Sequence, residues 1–299
     1  MLSRTRPTQA AEVPDEAAVA EPAAAAAAAM VEEEDDDTAG GYEARDSNEL
    51  PVSHEAVVKH GAKPIVAMDL DPSGSRLVTG SLDYKLQLWD FASMDVRMKA
   101  FRKLEPVEGA HVQMLKFSPT GHMILACFAN AKMKFLDRDG AEVAECMKGD
   151  QYFNDLSKTY GHVTFVNDAV WHPKQKNRVL SASSDGTLRI WNTDSTRLNN
   201  TIKSELCGKC RGRQGRRAPV LTVAFGPDAK MIAAGCEDGS MHTFSITERT
   251  IFLKTQHLKA HKEGEKVTSV KFSRKGRLLS RSTDGTVKLW DPRRLQSGT

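Results

Sequence analysis

The chain of 299 residues is long enough to bury a sizeable core, and its 40% hydrophobic and 6% aromatic content fits a soluble protein of many short strands. No stretch approaches the roughly 20 apolar residues that cross a bilayer, and Met1-Leu2-Ser3-Arg4-Thr5-Arg6 lacks the apolar run of a secretory signal. The net charge of +3 hides a split. Residues 1–50 carry three basic residues against thirteen acids, and the remainder 39 against 26. An acidic tail on a basic body suggests charged partners, although such a tail can also serve only to solvate and shield the domain, which is the reading adopted here. Five scattered cysteines make no disulfide framework and point to a reducing compartment.

In chain order, residues 1–48 read as disordered. They hold the run Ala23–Ala29, the acidic block Glu32–Asp37 and almost no large apolar residues. Periodicity begins near Glu49, and from there the chain repeats. The segment SLDYKLQLWD at 81–90 returns as SSDGTLRIWN at 183–192 and STDGTVKLWD at 282–291. Weaker copies are NAKMKFLD at 130–137 and EDGSMHTFS at 237–245. Aligned on Asp83, Asn130, Asp185, Asp238 and Asp284, every copy places an anchor six residues on: Trp89, Leu136, Trp191, Phe244 and Trp290. Upstream of each lies an apolar strand ending in a turn, such as Asp71-Pro72-Ser73-Gly74 or Phe117-Ser118-Pro119-Thr120-Gly121. Further upstream a histidine stands in four of five copies: His60, His111, His162 and His261.

Alternation in Leu86-Gln87-Leu88-Trp89 and Val287-Lys288-Leu289-Trp290 is the period-2 pattern of strands. Each unit is therefore a small antiparallel sheet that cannot bury both faces alone. Radial stacking against its neighbours solves this, and the expected fold is an all-β propeller over 49–299. The repeats run over about 58–101, 109–147, 160–203, 218–257 and 259–293.

A His near the start of each unit and a Trp-Asp at its end resemble the WD-repeat family. The resemblance implies structural tetrads of Asp, His, Ser and Trp: His60, Ser81, Asp83, Trp89; His162, Ser183, Asp185, Trp191; and His261, Ser282, Asp284, Trp290. In each, the Asp would accept from the His, the His would bond the Ser, and the Ser would accept the indole N–H. Ser, His and Asp also invite a hydrolase reading. Threefold recurrence at repeat spacing argues against it, because catalysis needs one site and a scaffold needs many. The second copy, with Phe128, Asn130 and Leu136, and the fourth, with Cys236 and Phe244, are expected to hold by packing alone and to be softer.

The stretch Asp137–Tyr152, with Ser53-His54-Glu55, Lys59-His60-Gly61, Leu70-Asp71-Pro72-Ser73-Gly74, Arg76-Leu77-Val78-Thr79-Gly80 and Trp89-Asp90-Phe91-Ala92, is similar to the WD-repeat-containing protein 70 group, also called gastrulation-defective-like. That resemblance implies a nuclear protein (the cytoplasm being the alternative) tied to cullin-4 ubiquitin ligases, the DNA-damage response or pre-mRNA processing. It also implies further blades beyond Thr299. The chain thus reads as an incomplete seven-bladed ring cut from a longer product, or as a five-bladed ring closed by residues 50–58.

Three candidate sites remain. Trp290-Asp291-Pro292-Arg293 resembles the box by which WD-repeat substrate receptors dock the damaged-DNA-binding adaptor of cullin-4 ligases, with Arg293 making paired hydrogen bonds; otherwise Arg293 is an ordinary turn residue. Cys207-Gly208-Lys209-Cys210 is a single CxxC without a second pair. His242 and His257 lie in other expected strands, so it reads as two loose thiols in a loop, with no metal and no cofactor. Lys209, Arg211, Arg213, Arg216 and Arg217 concentrate positive charge on that loop, fit for nucleic-acid phosphates without sequence readout, for an import receptor, or for solvent alone. No phosphate loop, HExxH or nucleophile elbow occurs, so a non-catalytic protein-interaction platform is expected, with a scaffold in a pre-mRNA-processing or chromatin complex as the alternative.

Overall fold

The computed structural model describes residues 57–95, 97–195 and 200–292. The acidic tail and residues 50–56 of the expected closing segment 50–58 lie outside them. The strands fall into five sheets, one per repeat, which we call blades 1 to 5.

Blade 1 comprises β1 (Ile65–Leu70), β2 (Arg76–Ser81), β3 (Leu86–Asp90) and β4 (Arg102–Leu104), antiparallel in that order. Blade 2 follows with β5 (Val112–Phe117), β6 (Met123–Phe128), β7 (Met133–Asp137) and β8 (Glu142–Cys146). Blade 3 is β9 (Val166–Trp171), β10 (Arg178–Ser183) and β11 (Thr187–Asn192), completed by β13 (Ser204–Lys209). Its short β12 (Thr201–Ile202) crosses to pair in parallel with β8 and so ties blade 3 to blade 2. Blade 4 is β14 (Val220–Phe225), β15 (Met231–Cys236), β16 (Met241–Ile246) and β17 (Ile251–His257). Blade 5 shows three strands among the described residues: β18 (Val267–Phe272), β19 (Leu278–Ser282) and β20 (Val287–Trp290).

The need to bury two faces of each sheet sets where the core lies. One apolar layer lies between each pair of consecutive blades. Val78 and Leu88 of blade 1 meet Val112 and Phe128 of blade 2. Phe135 of blade 2 meets Trp171 and Trp191 of blade 3, with Phe135 and Trp171 edge to face at 5.9 Å. Leu188 and Ile190 of blade 3 meet Ile232 and Phe244 of blade 4, and Met241 of blade 4 meets Val267 and Leu278 of blade 5. The first and last blades bare what the inner ones bury, with Met68 at 69% and Val287 at 67% exposure. The described residues form a row of five blades and show no closed ring.

Every inner strand carries a β-bulge at the same register. The extra residue is Val66, Gln113, Asn167, Leu221 or Thr268. A bulge sharpens the local twist and re-aims the next side chain. In blade 3 that side chain is Asp168. Its carboxylate accepts from the Thr222 hydroxyl at 3.0 Å and the Val223 N–H at 2.9 Å, linking β9 to β14. Burial raises the Asp168 pKa, against the pull of these donors. The inner strands of blades 2 to 5 line an open groove of about 820 Å³ that includes Lys116, Asp168, Trp171 and Lys271.

Candidate functional site

In each strong repeat the turn between the second and third strands is built by an Asp that caps its own backbone. Asp185 Oδ1 accepts from Thr187 N–H at 2.8 Å and from its hydroxyl at 2.6 Å, and Asp284 Oδ1 does the same with Thr286 at 2.9 and 2.7 Å. The residue between them must take positive φ, which Gly186 and Gly285 supply at 77° each. The carboxylate is thereby aimed at the histidine: His162 Nδ1 lies 3.1 Å from Asp185, and His261 Nδ1 lies 2.9 Å from Asp284. The other ring nitrogen, Nε2, lies 2.7 Å from a hydroxyl in both blades, and the same oxygen accepts the indole N–H of Trp191 at 2.7 Å or Trp290 at 2.8 Å.

That hydroxyl belongs to Ser181 in blade 3 and Ser280 in blade 5, and to Thr79 in blade 1, where Trp89 donates at 2.9 Å. This corrects the expectation for Ser81, Ser183 and Ser282, which stand two residues further on. The reason is register. Trp191 sits opposite Val179, so Ser181 is its diagonal neighbour across the strands, at a distance an indole can span. Ser183 lies another two residues along and out of reach. It shares the face, since side chains alternate with period 2. Ser81, Ser183 and Ser282 instead accept the N–H of Asp83, Asp185 and Asp284 at 3.2–3.3 Å and shape the turn.

Blade 1 is the loosest of the three. Tyr84 and Lys85 stand where the others have Gly and Thr, Tyr84 is held at φ 68°, and no threonine hydroxyl braces the carboxylate. Asp83 lies 3.7 Å from His60 Nε2, and Nδ1 is the atom that reaches Thr79, at 2.8 Å.

These groups are poised for structure and not for chemistry. Burial lowers the pKa of His162 despite Asp185, so the imidazole stays neutral. Burial alone would raise Asp185, but His162, Thr187 and the Val163 N–H outweigh it and bring the carboxylate to about 2. The chain Asp185–His162–Ser181 matches the connectivity of a hydrolase triad. Yet Ser181 is fully buried and its oxygen is already occupied by the indole of Trp191. No carbonyl can reach it.

Sequence reading missed Arg189. It is fully buried, and its guanidinium donates to the Thr159 carbonyl and the Ser204 hydroxyl, each at 2.7 Å, to the Thr159 hydroxyl at 2.8 Å and to the Leu156 carbonyl. The charge thus rests on oxygen dipoles that fix the loop entering blade 3, and burial lowers its pKa. The matching positions do related work: Gln87 donates to the His60 carbonyl at 2.6 Å and Lys288 to the Ala260 carbonyl at 2.6 Å. A polar residue two before the Trp in SLDYKLQLWD and its copies was the available signal.

The two degraded copies differ from each other. Blade 2 replaces the polar cluster with Ala126, Phe128 and Leu136, all buried on the face toward blade 1. Blade 4 does not rely on packing alone, contrary to expectation. Asp238 accepts from the Ser240 hydroxyl, which lies 3.2 Å from Nε2 of fully buried His242. The CxxC is also not two loose thiols in a loop. Cys207 sits on β13, and Cys210 is buried beside Cys236 and His242, with the three donor atoms within 4.8 Å of one another.

In the basic segment, the Arg211–Arg217 bridge closes the loop around the turn Arg213–Gly215. Lys209 pairs with Asp155 at 2.6 Å, and this contact, with the Ser157 donors, holds that carboxylate far below its ordinary range. Arg213 pairs with Glu263, Arg217 donates to the Asn154 carbonyl at 2.7 Å, and Arg211 donates to the Gly215 carbonyl at 3.0 Å. Arg216 is exposed. Of the terminal box, Trp290 is anchored by Ser280 and lies 5.8 Å from the His257 ring, Asp291 follows the strand, and Arg293 lies outside the described residues.

A row of antiparallel blades, three of them pinned by an Asp–His–hydroxyl–Trp cluster, defines a WD-repeat scaffold. The family profile described as "WD domain, G-beta repeat" matches residues 54–90, 154–192, 208–245 and 252–291, and the chain belongs to that family. The second repeat, which lacks the cluster, is the one left unmatched. The chain is 43% identical over 253 residues to the Gastrulation defective protein 1 homolog of Drosophila melanogaster, covering 84% of this chain and 38% of that protein. It is 41% identical to WD repeat-containing protein 70 of Xenopus tropicalis, covering 83% and 39%, and 40% identical to that of Homo sapiens, covering 75% and 33%. The chain therefore spans less than two fifths of the length of these relatives. Proteins built from this repeat are in general non-catalytic scaffolds for protein–protein interaction, and no helix among the described residues is long and apolar enough to cross a membrane.

Proposed function

We propose that this chain is the protein-binding part of a nuclear WD-repeat substrate receptor that docks the adaptor of a cullin-4 ubiquitin ligase and serves the DNA-damage response. The observation that carries the reading is the sequence Trp290-Asp291-Pro292-Arg293, which begins at the last residue of β20. Trp290 is fixed by its indole bond to Ser280, so Asp291 and Pro292 follow an anchored strand end. A guanidinium there can make two parallel hydrogen bonds to a carboxylate or carbonyl surface. The corresponding positions after Trp89 and Trp191 are Ala92 and Asp194, so this repeat differs from the other two strong ones. The basic loop supports an RNA or chromatin scaffold less well, because Lys209 and Arg213 already pair with carboxylates.

The test is a pull-down of the full chain by the cullin-4 adaptor, wild type beside Arg293→Ala, with circular dichroism to verify folding. Binding by the wild type that is largely lost in the variant supports the reading. If neither binds, the box is only a strand-end turn, and salt-sensitive RNA binding through Arg211, Arg216 and Arg217 becomes the leading account.

A further inference from the structure

Blade 4 lacks the tetrad hydroxyl, since Ala234 stands where Ser181 and Ser280 stand, and Phe244 stands where Trp191 does. A different polar cluster occupies the seam between blades 3 and 4. Cys210 follows β13 of blade 3, while Cys236 ends β15 and His242 lies on β16 of blade 4. All three are buried, at 1%, 0% and 0% exposure, inside an otherwise apolar layer with Leu188, Val220 and Phe244. Their donor atoms lie within 4.8 Å of one another.

Small hydrophobic packing accounts for two buried thiols but not for the imidazole. His242 Nδ1 is buried and has no hydrogen-bond partner. The Ser240 hydroxyl donates to Asp238 and so presents a lone pair to His242 Nε2 at 3.2 Å. That contact favours the tautomer with hydrogen on Nε2, leaving the Nδ1 lone pair free. A carboxylate–hydroxyl–imidazole relay is the outer-sphere support expected of a metal-bound histidine.

We propose that Cys210, Cys236 and His242 bind one Zn²⁺ that staples blade 3 to blade 4 in place of the missing tetrad. Two thiolates and a neutral imidazole match the zinc donor set, with a water completing the tetrahedron. The two thiolate charges cancel that of the ion, so a neutral complex is buried and not a net charge. Ligand atoms around a four-coordinate zinc with sulfur at about 2.3 Å stand roughly 4 Å apart, so the cluster needs only a small contraction. Binding releases the two thiol protons, and because all three donors are buried, the ion enters as the seam forms.

The experiment refolds the full chain from denaturant in excess Zn²⁺ or Co²⁺ alone, followed by gel filtration. One bound equivalent is expected, with thiolate-to-cobalt charge-transfer bands and strong tetrahedral d–d bands. X-ray absorption on the zinc form should show two sulfur donors at about 2.3 Å and lighter donors at about 2.0 Å. Cys210→Ser, Cys236→Ser and His242→Gln should each abolish the cobalt spectrum, while Cys207→Ser keeps it. Absence of thiolate bands in the refolded wild type overturns the proposal, as does a shell without two sulfurs. A spectrum lost in Cys207→Ser, or retained in His242→Gln, overturns it equally. The absorption measurement needs no variant, so it decides the matter even where a substitution prevents folding.

Discussion

Blades 3 and 4 share one apolar layer and close the same architectural gap by different means. Blade 3 satisfies its buried polar groups through Asp185, His162, Ser181 and Trp191, and braces its entry loop with Arg189. Blade 4 gives up that cluster. It fills the indole position with Phe244, pairs the Thr243 and Thr255 hydroxyls across β16 and β17, and moves its histidine onto a Cys–Cys–His seam. The blade geometry is therefore not owed to the tetrad. What both blades share is the apolar layer and the bulged inner strand, and the polar clusters add rigidity and specificity to a sheet that packing already defines.

The largest effect is expected in blade 4. Phe244→Ala should cost about 3–5 kcal/mol, because the ring is fully buried and a cavity replaces it. Chemical unfolding of the full chain measures it, and a loss below about 1 kcal/mol would mean that blade 4 is held by something other than packing. In blade 3, Arg189→Met should destabilise by on the order of 3 kcal/mol, since the Thr159 and Leu156 carbonyls lose their donor inside the protein. A neutral outcome there would show that water replaces the guanidinium.

Acid sharpens the contrast further. Burial lowers the pKa of His162, so below its ordinary value near 6.5 the unfolded chain takes a proton that the folded blade refuses. Stability should accordingly decline as pH falls through about 6.5. Asp185, held at about 2, adds a second loss that sets in below the ordinary carboxylate range and completes as pH falls through about 2. Melting temperature against pH reads both, and His162→Gln should flatten the upper step relative to its own neutral-pH value. At the small end, Arg213→Ala should shift stability by less than about 1 kcal/mol, because its pair with Glu263 is exposed to solvent.

How much of this was legible follows from range. The Trp-Asp strands and the Asp-Gly turns repeat within ten residues, so period-2 alternation and turn chemistry reveal them, and the five blades with them. The tetrad was legible in kind but displaced in register. Residues 181 and 183 share a face, and only the pairing of Trp191 with Val179 decides between them. For Arg189 the repeat signalled a polar residue two before the Trp but not its role, because its backbone acceptors lie 30 and 33 residues upstream. Cys236 and His242 join Cys210 across a blade boundary, so spacing along the chain separates what stacking brings together. The inner-strand bulges left no residue signature at all: Val66, Gln113, Asn167, Leu221 and Thr268 have nothing in common.

The recurring Asp–His–hydroxyl–Trp groups act as internal struts, and one pair of variants puts this to the test. Urea unfolding of Ser181→Ala beside Ser183→Ala compares two serines on one strand and one face. Ser181→Ala should lose about 2–3 kcal/mol, since the indole of Trp191 and Nε2 of His162 both lose their partner at 2.7 Å, while Ser183→Ala should lose less, about 1 kcal/mol, because its contacts to Thr164 and the Asp185 N–H are longer, at 3.1–3.2 Å. Equal losses, or a greater loss at Ser183, would contradict the register and the structural role assigned to these groups.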